Sequence, residues 1–192
     1  MFSEQEYHNQ HFKGLQAHTQ AIDHKLFSGC TFSKCDFTGS QLIDSRLTEC
    51  TFGGCNLSLV SFAGCKIQDV TFENCKIAGV NFADCNPFLL DIAFIKCVIS
   101  ESNFSGMKLP NTSFNQSKIT DSDFTESNLG GSDFSDADLS GTLFHNTNLN
   151  DASLLNVKNL ALNPLTNKIK NARISMSDAL NLVQFLGVII EN

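Results

Sequence analysis

The sequence contains no tryptophan, one tyrosine and only three prolines. It has no run near the roughly eighteen apolar residues that a membrane-spanning helix needs, so a membrane segment is excluded. The opening residues, Met1-Phe2-Ser3-Glu4-Gln5-Glu6, have neither a basic stretch nor an apolar one. No secretory signal is visible there, and the cytoplasm is the expected compartment. Basic residues are scarce: thirteen Lys and Arg stand against twenty Asp and Glu, a net charge of −7. That balance argues against DNA, RNA or an anionic membrane as the direct partner and favours a basic protein surface. There is no glycine-rich phosphate loop, no nucleophile elbow and no constellation of paired carboxylates. No catalytic residue and no cofactor is expected.

What is abundant is phenylalanine, with seventeen copies. Stepping by five from Phe27 gives Phe32, Phe37, Leu42, Leu47, Phe52, Leu57, Phe62, Ile67, Phe72, Ile77 and Phe82. The register extends backwards, more loosely, through Ile22, Ala17 and Phe12. After Pro87 it slips by two residues and resumes at Phe94, running through Ile99, Phe104, Leu109, Phe114, Ile119, Phe124, Leu129, Phe134, Leu139, Phe144 and Leu149 to Leu154. Two residues before each centre sits a small side chain, such as Cys30, Cys35, Ser40, Ser45, Ser117, Ser132 or Ala152. Neither a helix of period 3.6 nor a strand of period two sustains a period of five.

Segments such as Ser132-Asp133-Phe134-Ser135-Asp136 and Ala137-Asp138-Leu139-Ser140-Gly141 resemble the repeating unit of the pentapeptide-repeat family. The resemblance implies an all-β fold, a right-handed quadrilateral parallel β-helix with four repeats per coil. In that fold the central residue and the small residue two before it point inward, and the other three face solvent. At the strand spacing of about 4.8 Å, roughly seven coils make a rod of about 34 Å. Alternation of Phe with Leu or Ile then places Phe on one pair of opposite faces, where the rings can stack as ladders. The slip at 88–93 reads as a face carrying two extra residues.

Cys30, Cys35, Cys50, Cys55, Cys65, Cys75, Cys85 and Cys97 all occupy the small inward slot. Their spacing follows the repeat and not a bridge or ligand geometry, so they are read as core residues. His8, His11, His18 and His24 crowd the N-terminal segment without a ligand spacing, and no metal site is assigned.

Between Ile119 and Val157 there is no Lys or Arg, while Asp121, Asp123, Glu126, Asp133, Asp136, Asp138 and Asp151 supply carboxylates. Each falls one residue before or two after a repeat centre, so each is expected to project outward as part of an acidic, partner-binding face.

Repeats fail after Leu154, which divides the chain into a β-helix over 1–157 and a C-terminal module over 158–192. The segment from Ser175 reads as a short capped helix ended by Gly187, followed by a strand. Ala179, Leu182, Val183 and Leu186 form its apolar face. With Val188, Ile189 and Ile190 they are assigned to capping and to a homodimer contact. Asn163-Pro164, Asn167-Lys168-Ile169, Ala179-Leu180 and Leu186-Gly187-Val188-Ile189-Ile190 are similar to the ending of the gyrase-protecting pentapeptide proteins, the quinolone-resistance group among them. This narrower resemblance implies a dimeric acidic rod that mimics DNA and binds DNA gyrase or topoisomerase IV. The alternative is a non-catalytic scaffold for an unrelated protein.

Overall fold

The computed structural model describes residues 2–187. The chain winds as a parallel β-solenoid of about eight turns with a short helix at its C-terminal end. Short strands and single bridges pair in parallel with residues one coil away: Leu47 with Ile67, Phe52 with Phe72, Asp133 with Ser153. The spacing along the ladders is 20 residues, as in the pairing of Cys35 with Cys55. Four consecutive pentapeptides therefore make one coil, and the centres sort into four columns.

The first column holds Phe27, Leu47 and Ile67; the second holds Phe32, Phe52, Phe72, Phe94, Phe114 and Phe134. The third runs through Phe37, Leu57, Ile77, Ile99, Ile119 and Leu139, the fourth through Leu42, Phe62, Phe82, Phe104 and Phe124 to Phe144. Side chains of all four are buried. From Phe62 onward, phenylalanine occupies the second and fourth columns, which are opposite faces. Within a column the rings stack: Phe94 lies 5.3 Å from Phe114, and Phe114 lies 4.7 Å from Phe134. Across the rod the two columns meet edge to face, as at Phe94 and Phe104, 5.7 Å apart and inclined at 85°. Both geometries suit the ring quadrupole.

The inward slot two residues before each centre is often chosen for more than size. At many rungs its side chain donates to the carbonyl of the centre one coil back and three residues further: Cys55 Sγ to Phe32 O at 3.3 Å, Ser117 Oγ to Phe94 O at 3.1 Å, Thr142 Oγ1 to Ile119 O at 2.9 Å. A buried carbonyl has a second lone pair, and Ser, Thr or Cys can reach it. The position two after nearly every centre turns the corner with a backbone in the left-handed region, φ being 54° at Asp44, 56° at Gln116 and 61° at Asp136, while Asp84 instead ends a 3-10 turn, Phe82–Asp84. Gly, Asn and Asp tolerate that conformation best, which explains their recurrence there.

Two boundaries differ from the sequence register. At the start, Tyr7 pairs with Phe27, so the ladder begins before Phe12. Phe2 closes this end with edge-on contacts to Tyr7, Phe12 and Phe27 at 5.3–5.5 Å. At the other end the rungs do not stop at Val157. Lys158 bridges Asp138, Lys168 bridges Asn148, and Arg173–Ile174 pair with Ser153–Leu154. Backbone pairing sustains these rungs although the side-chain period has lapsed, and Leu162 still fills the core.

Candidate interaction surfaces

The seven carboxylates between Ile119 and Val157 are all outward, but they ring the rod instead of lining one face. Asp123 lies on the fourth face, Asp133 on the second and Asp138 on the third. Asp121, Glu126, Asp136 and Asp151 are exposed at four different corners, each with positive φ. Steps of five residues turn the chain through a quarter circle, so a run of neighbouring acids cannot share a side.

Those one residue before a centre also have a structural task. Asp123, Asp133 and Asp138 accept backbone N–H groups two residues on, from Thr125 at 2.8 Å, Ser135 at 2.9 Å and Ser140 at 3.2 Å. Asp138 further accepts Asn159 Nδ2 at 2.7 Å and stands between Lys118 and Lys158 in its ladder. The Asn159 and Ser140 hydrogen bonds hold its carboxyl below the usual range. Asn serves the same position elsewhere, as where Asn103 Nδ2 donates to Asn81 Oδ1 at 2.9 Å.

A different acidic surface emerges when residues a whole coil apart are read together. The fourth face comprises residues 21–24, 41–44, 61–64, 81–84, 103–106, 123–126 and 143–146, linked by the bridges Ala21–Gln41, Gln41–Ser61, Asn81–Asn103, Asn103–Asp123 and Asp123–Leu143. It carries Asp23, Asp44, Asp84, Asp123 and Glu126 and no Lys or Arg. The other faces mix signs: Arg46, Lys66 and Lys108 lie on the first, Lys34 and Lys96 on the second, Lys76, Lys118 and Lys158 on the third. Asp44, Asp84 and Glu126 follow one corner of the rod. Gly64 helps keep that corner open, since a Cβ there would collide with the Asp44 carboxylate. Of this set only Asp123 and Glu126 lie in the cation-free stretch between Ile119 and Val157; Asp44 and Asp84 join Glu126 only across whole coils of the winding.

At the C-terminal end, helix α1 spans Met176–Val183, with Ser175 as N-cap accepting the Asp178 N–H at 3.4 Å. A turn of 3-10 helix, Gln184–Leu186, leads to Gly187 at φ 70°. Leu182 is buried in the core cluster, and Ala179 and Val183 are half-buried. Leu182 thus packs into the core, as the capping half of its assignment expects. Met176, Leu180, Phe185 and Leu186 are exposed instead. Of the expected contact residues only Leu186 is among them; Val188, Ile189 and Ile190 lie outside the described residues.

All eight cysteines are free and buried. Burial pushes the Cys50 thiol up to about 11 and the Cys65 thiol up to about 12. Among the described residues no group of three or more His, Cys, Asp or Glu could hold a metal ion, and no helix is long and apolar enough to cross a membrane.

The family profile described as a pentapeptide repeat region matches residues 25–88 and 88–154. The chain belongs to the pentapeptide-repeat family. No curated protein matches it in sequence. Among solved structures of this family, two trypsin-treated variants of QnrB1, a plasmid-mediated fluoroquinolone resistance protein, resemble it. One aligns at 17% identity with a TM-score of 0.62, covering 95% of this chain and 100% of that one. The other has the same identity and TM-score, covering 97% and 92%. At that identity the likeness is one of fold.

Proposed function

We propose that this pentapeptide-repeat protein is a non-catalytic, DNA-mimicking rod that docks on the basic DNA-holding surface of a type II topoisomerase, DNA gyrase or topoisomerase IV, and modulates or protects it, as against fluoroquinolones. The observation that carries this reading is the fourth face, acidic and free of Lys and Arg from Ala21 to Asn146. QnrB1, whose fold this chain shares, is a fluoroquinolone resistance protein, and the class of partner is taken from the resemblance of the C-terminal segment to the gyrase-protecting pentapeptide proteins. Over about six coil spacings, near 30 Å, the face offers one carboxylate per about 6 Å, against one phosphate per about 3.4 Å of a DNA strand. The mimicry is therefore sparse, and its charges contribute on-rate and register more than affinity. A second rod joined through Met176, Leu180, Phe185 and Leu186 would double the length of that face. A supercoiling assay with purified gyrase, with and without a fluoroquinolone, tests the proposal. No effect of the protein in either condition rejects it.

A further inference from the structure

Where the period slips, the first face opens into a groove. Pro87, Phe88, Leu89 and Leu90 leave the rung, and Phe88 and Leu89 stand out with 70% and 60% of their surface exposed. Leu89 is held at φ 56°, a conformation that a branched apolar residue rarely adopts. Leu59, Leu143 and Leu165 are as exposed singly, but Phe88 and Leu89 stand side by side, which makes them a candidate contact site. The groove beside it, about 360 Å³, has Phe88 and Leu89 as one wall and Arg46, Lys66, Thr48 and Gln68 along the other side, over Ile67. Arg46 and Lys66 are direct register partners on adjacent rungs. Like charges placed opposite each other in a ladder destabilise it. Neither has a salt-bridge partner among the described residues. An anion would relieve that repulsion.

We infer that this groove is a docking site for an extended peptide segment of a partner protein that carries a carboxylate next to a large apolar side chain. The carboxylate lies between Arg46 and Lys66, and the apolar side chain packs on Phe88 and Leu89. Past Arg46 and Lys66 the surface continues along Lys25, Leu26 and His24, with Glu6 and Asp44 also on its lining, a length that suits an extended chain better than a compact ligand. Glu49 and Asp69, at the corner within the same strands, Arg46–Gly53 and Lys66–Glu73, repel a broad anionic surface such as a lipid bilayer but leave room for one carboxylate at the cationic end. The site borders the acidic fourth face at Asp44, which lines the groove beside Arg46 and Lys66, but it does not depend on the topoisomerase reading.

The test selects a random dodecapeptide phage library on the full chain, in parallel with two double variants, Arg46→Ala/Lys66→Ala and Phe88→Ser/Leu89→Ser. All four positions are exposed, and thermal melts check that both variants remain folded. Peptides with Asp or Glu beside Phe or Leu should be enriched on the natural chain only. The recovered peptide, labelled with fluorescein, should bind at least about ten-fold more weakly to either variant, and its affinity should be unchanged by Asp84→Asn/Glu126→Gln. No such enrichment, or peptide binding that survives both double variants, overturns the inference. So does binding of phosphatidylserine vesicles that both variants abolish in place of peptide binding, which would make the site a membrane contact.

Discussion

Phe72 stacks on Phe94 at 5.4 Å with the rings only 12° apart, although 22 residues separate them where every coil before uses 20. The two additional residues are thus absorbed on the first face, and both phenylalanine columns pass the interruption intact. Deleting Phe88 and Leu89 should therefore leave a folded rod whose stability changes by no more than about 1 kcal/mol, since a shorter loop costs little entropy to close. Circular dichroism and a thermal melt read this. Loss of cooperative unfolding would show that the bulge is part of the core.

The fourth face predicts a selective charge effect. The triple variant Asp44→Asn, Asp84→Asn, Glu126→Gln should weaken any action on gyrase supercoiling by about ten-fold or more at low salt. Asp133→Asn with Asp136→Asn, on the opposite face, should weaken it far less. Exposed charges interact through screened fields, so the difference should shrink as ionic strength rises above about 0.15 M. Equal effects of the two sets would reject the assignment to one side.

The outer face of helix α1 predicts association. Leu180→Asp with Phe185→Asp should convert a dimer to a monomer in sedimentation or light-scattering measurements, without lowering the melting temperature of the solenoid. Leu182→Asp, by contrast, places a charge in the core and should destabilise the C-terminal end by several kcal/mol. A protein that is monomeric before substitution removes the dimer from the proposal.

The small inward slot predicts an unusual ranking of substitutions. Cys55→Ser keeps a donor to the Phe32 carbonyl and should be close to neutral, whereas Cys55→Ala leaves that bond unmade and should cost about 0.5–1.5 kcal/mol by denaturant titration. If Ala is better tolerated than Ser, the slot selects for apolar volume alone.

The same thiols set a response to alkali. Cys50 and Cys65 ionise near 11 and 12 in the folded rod and near 8.5 when unfolded. Below about pH 8.5 both states hold the proton and stability is at its full value. As pH rises toward 11–12 the unfolded state alone releases it, so stability falls. Urea midpoints measured between pH 8 and 11 should decline, and Cys50→Ser with Cys65→Ser should make the decline shallower without removing it, because burial also raises Cys35 and Cys85.

The period of five made the solenoid, its columns and the two-residue slip readable from the sequence, because only a fixed period brings Phe94, Phe114 and Phe134 into one stack. Other features depend on relations that a linear scan does not weigh. Asp44 and Asp84 belong with Glu126 only after the chain is wound, and Asp121 and Asp123, neighbours in sequence, sit on different sides. The slot before each centre was legible as small, but its donor role depends on where the carbonyl of the previous coil points. The last coils lost their pattern because Asp138–Lys158 and Asn148–Lys168 are held by backbone bonds that impose little on side-chain type. The periodicity of helix α1 did place Leu182 on its apolar face, but that Leu186 is left exposed follows from how the helix meets the rod end.

The displaced segment at Phe88 and Leu89 also preserves phase. An insertion of five residues in a rung would advance every later repeat by a quarter turn, moving Glu126 out of line with Asp44 and Asp84. Two residues that bulge outward leave the angular position of all downstream side chains as it was. Length along the axis can therefore change by whole coils, and loops can be added on one side, while a charged stripe running the length of the molecule stays straight.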